Sequence, residues 1–218
     1  MNPADLTLDE LRLALAPAIA QAAIFDGWSG EAVDAAAQAL GVAPATARIA
    51  FPGGAMDMIA AWIESVDLAM AAALPAERLA GLPIRERIRA LVQFRLDALI
   101  GVEEALRRAQ AIMALPQNAL RTARLSWRSA DRMWRLAGDT AADFNHYTKR
   151  ATLAAVYTAT LLVLVGDESE GKAETRAFLN RRIEGIMRFE KAKARLLKPR
   201  GEHFSLTRLA GRLRYPAR

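Results

Sequence analysis

No stretch of this chain alternates apolar and polar residues with a period of two, and runs of β-branched or aromatic residues are scarce. Half-buried strands need that alternation, so the sequence offers little from which to build a sheet. Alanine and leucine dominate instead, and both favour helix. Ile84, Ile88, Leu91, Val92, Leu96 and Leu99 recur at helical spacing, with Arg95 the one interruption of their stripe. The expected fold class is all-α.

Helix boundaries are marked by caps and breakers. Thr7 with Glu10 three residues on predicts a capping box, opening a helix that runs to about Phe25, with Pro17 a point of kinking or a later start. Ser29 caps a short helix to Leu40, stopped by Gly41, and Pro44 starts another to about Ala50. After the break Pro52-Gly53-Gly54, longer helices are expected over 55–73, from Pro83 to about Ile100, and over 102–115, 118–137, 142–165 and 172–197. Pro199-Arg200-Gly201 separates a final helical segment, 204–214. The expected organisation is an N-terminal module (1–62), a helical body (63–198), and a hinge with a terminal helix (199–218).

Composition removes several chemistries. With no cysteine and only His146 and His203 among 218 residues, there is no thiolate metal site, no disulfide framework and little for a histidine-centred triad. No phosphate loop or nucleophile–base pair appears, so neither catalytic nor metal-ligating residues are assigned and no enzyme is expected. The longest uncharged run, Ala151 to Gly166, is shorter than the roughly 20 residues of a membrane span. The acidic start MNPADLTLDEL lacks the basic region of a signal peptide, so a cytoplasmic location is expected.

The net charge of +6 is unevenly divided. Residues 1–60 hold two basic and seven acidic side chains, a net of −5, whereas residues 176–218 hold thirteen and three, a net of +10. Short helix, glycine-containing turn, short helix over residues 29–50 has the form of a helix-turn-helix, and the whole layout resembles the TetR regulator architecture. A DNA-reading helix needs cations and base-edge donors, yet the segment Pro44–Ala50 offers one Arg and one Thr inside an acidic module. DNA is therefore an unlikely partner and the helix-turn-helix reads as vestigial; a TetR-type transcriptional regulator with a lipid-like effector is the alternative.

The densest unusual stretch is Ala130 to Thr160. An acid near a helix start satisfies exposed N–H groups, which explains Asp139 or Asp143 but hardly the whole set Asn145, His146, Tyr147, Lys149 and Arg150. Asp143, Tyr147 and Arg150 share one helix face by their spacing, a combination suited to a protein partner. The string AGDT-x-x-DFNHYTKRA-x-LAAVY, followed by T-x-x-FL-x-x-RI at Thr175–Ile183 and FEKAKA at Phe189–Ala194, resembles the coenzyme Q biosynthesis accessory family known as Coq-nine. MALPQN at 113–118, DRMW at 131–134 and FPGG at 51–54 are similar to that family as well, so the likeness spans about residues 9–195.

The resemblance implies a TetR-like homodimer that binds a ubiquinone precursor in an internal pocket and delivers it to the demethoxyubiquinone hydroxylase. The hydroxylase-facing patch would fall on Met133, Asp143, His146, Tyr147 and Arg150, with His146 standing where the family usually has Trp. Apolar candidates for the pocket wall are Leu91, Phe94, Met113, Leu115, Trp127, Val156, Tyr157 and Leu161, although ordinary core packing would use the same residues. No cofactor is implied; the ligand would be an isoprenoid quinone precursor or another lipid.

The segment 204–214 has its own pattern. Leu206, Leu209, Ala210 and Leu213 form an apolar stripe beside Phe204, with Arg208 and Arg212 away from it. That is the form of a basic amphipathic helix lying on an anionic membrane, and the resemblance implies the same. The expected place is peripheral, on the inner face of the membrane.

Overall fold

The computed structural model describes residues 6–140 and 144–197, with side chains described as far as Ile186 and at Arg188. Ten α-helices follow one another, and no strand occurs among the described residues. They are α1 (Leu8–Asp26), α2 (Gly30–Leu40), α3 (Pro44–Ile49), α4 (Ala55–Ala73), α5 (Ala76–Leu79), α6 (Ile84–Asp97), α7 (Glu103–Met113), α8 (Ala119–Leu136), α9 (Phe144–Gly166) and α10 (Ala173–Leu197). The all-α expectation holds. Phe204, Leu206, Arg208, Leu209, Arg212 and Leu213 lie outside the described residues, as does Asp143.

Local chemistry sets most of the boundaries. The Thr7 side chain accepts from the Glu10 amide while Glu10 accepts from the Thr7 amide, closing the capping box. α1 then runs through Pro17 as one helix, with Pro17 on its exposed side. Gly41 ends α2 at φ +68°, a left-handed conformation that a β-carbon would strain. Asp167 organises the chain ahead of α10, accepting four hydrogen bonds from the amides and hydroxyls of Ser169 and Thr175. Burial pushes its carboxyl up, but those bonds hold it well below the usual carboxylate range.

Helices α1 to α3 form the helix-turn-helix unit, and α1 also packs on α4 and α7. Trp28, between α1 and α2, joins this unit to the body. Its ring lies 5.2 Å from that of Trp62 on α4, and its Nε1–H donates to the Ala105 carbonyl at 3.0 Å. α4 itself runs unbroken through residue 62. In the body, α8 packs on α4, α6 and α9, and α9 also touches α6 and α7. The chain divides into two compact units at Arg181, within α10.

α9 has 23 residues and is, by length and composition, apolar enough to cross a membrane, unlike the 16-residue uncharged run taken alone. In the bundle its inner side buries Leu153, Tyr157, Thr160 and Leu164.

Candidate functional site

A cavity of about 330 Å³ opens among α4, α6, α7, α8 and α9. Helix α4 supplies Ile59, Trp62, Ile63 and Val66, and α7 supplies Leu106, Ala109 and Met113. Leu125 of α8 faces Tyr157 and Leu161 of α9 across it, and Leu99 follows α6. Ala114, Thr158 and Leu162 also line the space but are exposed, and so mark its mouth. A volume of this size lies at the lower end of the roughly 300–1,000 Å³ typical of small-molecule sites, and the wall is mostly apolar.

One wall carries charge. Arg95, 3% exposed, pairs through Nη1 with Asp67 of α4, itself buried. Ser129 of α8 donates its hydroxyl to the other Asp67 oxygen at 2.9 Å. The guanidinium carbon lies 4.8 Å from the centroid of the Tyr157 ring, within cation–π range. The Arg95 Nε–H is buried without a hydrogen-bond partner among the described residues.

A second cluster joins α8 to the start of α9. Arg150, 2% exposed, donates from Nε to Asp131 at 2.6 Å, and from Nη1 to Asp139 at 3.0 Å and the His146 carbonyl at 3.1 Å. Lys149 reaches Asp139 at 2.7 Å and lies over the Trp134 ring. Burial pushes the Asp139 carboxyl up, but Lys149 and Arg150 more than offset this and hold it below its ordinary range. Outside this cluster the rings of Trp127, His146 and Tyr147 gather, with centroids 5.1 to 6.3 Å apart. Tyr147 is 60% exposed, and Phe144 beside it is also exposed.

The sequence-predicted residues therefore separate. Met113, Tyr157 and Leu161 line the cavity. Leu91 is fully buried away from it, Phe94 and Val156 are half-buried outside it, and Leu115 is exposed. Trp127 belongs to the aromatic surface cluster. Of the surface patch, His146 and Tyr147 reach the outside, but Met133 is wholly buried and Arg150 is turned inward onto its two aspartates. The spacing that puts Tyr147 and Arg150 near one face spans the boundary between its packed and open sides. Sequence reasoning missed Asp67, Arg95 and Ser129. The available signals were Arg95 inside an apolar stripe and Asp67 inside the apolar run of α4.

No group of three or more potential metal ligands occurs among the described residues. Residues 119–190, which hold both α8 and α9, match the family model described as COQ9. Over 168 residues the chain is 35% identical to the mitochondrial ubiquinone biosynthesis protein COQ9 of Rattus norvegicus and 34% identical to that of Homo sapiens. The chain is similar to the COQ9 proteins. These alignments cover 74% of this chain and 54% and 52% of the two relatives, so the chain spans about half the length of the curated relatives it matches. A TetR transcriptional regulator from Nitrosomonas europaea superposes with a TM-score of 0.64 at 23% identity, covering 81% of this chain and 98% of that one. The TetR-like fold expected from the helix order is thus present.

Proposed function

We propose that this COQ9-like chain is a non-enzymatic accessory protein of ubiquinone biosynthesis. It takes a polyprenylated quinone precursor from the membrane and presents it to the demethoxyubiquinone hydroxylase. The observation that carries this reading is the mostly apolar cavity bounded by α4, α7, α8 and α9, with one buried polar wall at Arg95. An amphiphile with a small oxygenated head and a long apolar tail suits that combination. A polyprenyl tail exceeds the enclosed space, so it leaves past Ala114, Thr158 and Leu162.

The relatives' names support the pathway, and the aromatic cluster supports the partner. Trp127, Phe144, His146 and Tyr147 form an aromatic, partly exposed surface of the kind that anchors protein interfaces. The exposed side of α9 at Ala151 and Ala155, away from the cavity mouth, supports a homodimer. Membrane attachment on the inner face rests on the amphipathic basic pattern of 204–214. In the helix-turn-helix, Arg48 is paired with Asp34, which leaves α3 little charge for a duplex. Organic extraction of protein purified from ubiquinone-producing cells, followed by mass spectrometry, is expected to release an isoprenoid quinone precursor. An extract without isoprenoid removes the carrier reading.

A further inference from the structure

We propose that Arg95 is the polar anchor of the cavity, donating from its outer guanidinium nitrogen Nη2 to a neutral oxygen of the ligand, and that Asp67 makes the site reject anionic lipids. The inference rests on the cavity being a ligand site and specifies the chemical class of head group it takes. Arg95 forms part of the cavity wall, and its Nη1 is engaged by Asp67. Nε is closed off by its neighbours, whereas Nη2 makes no hydrogen bond to another described residue. A donor without an acceptor on a buried side chain costs free energy that a carbonyl, methoxyl or ester oxygen would recover.

Charge decides which oxygen. The Arg95 charge is already balanced by Asp67, whose second oxygen accepts from Ser129. A carboxylate entering this wall would add an uncompensated negative charge in a low-dielectric space, next to Asp67. A neutral oxygen adds none. The Tyr157 ring lies against the guanidinium, and the rest of the wall is mostly apolar, its other polar side chains, Gln110, Thr122, Ser126, Ser129 and Thr158, being uncharged. The site therefore selects uncharged, oxygen-bearing amphiphiles over both fatty-acid anions and pure hydrocarbons.

The test is displacement of a neutral fluorophore, N-phenyl-naphthylamine, from the full chain by probes sharing one dodecyl tail: a benzoquinone, a methyl ester, dodecylbenzene and dodecanoate. One recovered hydrogen bond corresponds to about a tenfold gain in affinity. The quinone or the ester is expected to bind about tenfold tighter than dodecylbenzene and dodecanoate. A preference for the quinone over the ester assigns the acceptor to a ring oxygen, and the reverse assigns it to an acyl ester. Asp67→Asn, which frees the Arg95 charge, is expected to strengthen dodecanoate binding by at least about tenfold, a gain that a purely structural pair would not give. The double variant Asp67→Leu/Arg95→Met, its helicity checked by circular dichroism, is expected to keep dodecylbenzene binding and lose the preference for oxygen. Dodecylbenzene or dodecanoate binding the unaltered protein as tightly as the quinone and ester overturns the anchor while leaving the cavity a ligand site. Failure of all four probes to displace the fluorophore overturns both the anchor and the carrier reading.

Discussion

Arg95 and Arg150 are both buried arginines paired with aspartate, yet they sit in opposite kinds of surroundings. Arg150 is shared between Asp131 and Asp139, and those carboxylates have other cations, Arg135 and Lys149 respectively. It also donates to the His146 carbonyl, tying the first turns of α9 to the end of α8. Arg95 has one carboxylate, a tyrosine ring and a cavity, and its Nη2 makes no hydrogen bond to another described residue. A buried arginine with its bonds distributed over several groups fixes structure. One that keeps a donor in hand beside an open space is placed for a ligand. The difference lies in how many donors are spent, since burial is nearly equal.

The largest expected effect comes from breaking the less supported pair. Arg95→Met strands Asp67 in the core with Ser129 as its remaining polar contact. Removing one member of a buried pair costs about 3–5 kcal/mol, enough to lower the melting temperature by many degrees. Adding Asp67→Leu is expected to recover most of the loss, because an apolar replacement of both members leaves no buried charge. Chemical denaturation of the two variants checks this. A single variant as stable as the parent would mean that Asp67 is already solvated.

A smaller loss follows from Arg150→Met, about 1–3 kcal/mol, because Asp131 retains Arg135 and Asp139 retains Lys149. This loss depends on pH. The folded Asp139 carboxyl titrates below its unfolded value, so its contribution is complete above the unfolded pKa and drains as pH falls through the folded one. Melting curves of parent and variant are expected to differ most near neutrality and to converge on acidification below about pH 4. A constant gap across that range would show that Arg150 acts by packing alone.

These two sites also mark how far the sequence could be read. Helix order and most boundaries were legible because single residues set them locally: Thr7 with Glu10, Ser29, Gly41, Pro44. The four-residue α5 carries too short a pattern to be seen. The likeness of 143–157 to a known family was legible as a string, but the direction of each side chain was not. Arg150 faces inward onto Asp131 and Asp139, and Met133 is buried among apolar neighbours, facts of helix rotation that spacing leaves open. For the cavity, an apolar stripe looks the same whether it lines a space or fills one. Leu91 and Leu99 lie on one stripe of α6 and its extension, yet only Leu99 meets the cavity. The polar exception was the better guide. Arg95 stood out in its stripe as an interruption, and it became the cavity's charged wall.

The smallest expected change in stability, and a sharper test of the second site, is Tyr147→Ala. Tyr147 is exposed and meets Trp127 and His146 through ring contacts, so its loss should cost no more than about 0.5–1.5 kcal/mol. If Arg150 serves to hold the start of α9 so that this cluster faces outward, the consequence for a partner exceeds the consequence for the fold. Pull-down with the demethoxyubiquinone hydroxylase is then expected to weaken by at least about tenfold for Tyr147→Ala, a loss of 1.4 kcal/mol or more in binding. The same variant should leave displacement from the cavity unchanged, because Tyr147 does not line it. Unaltered hydroxylase binding would reduce the cluster to surface packing. The Arg150 network would then be scaffolding for α8 and α9 alone, and the contrast with Arg95 would be one between structure and ligand chemistry rather than between two binding sites.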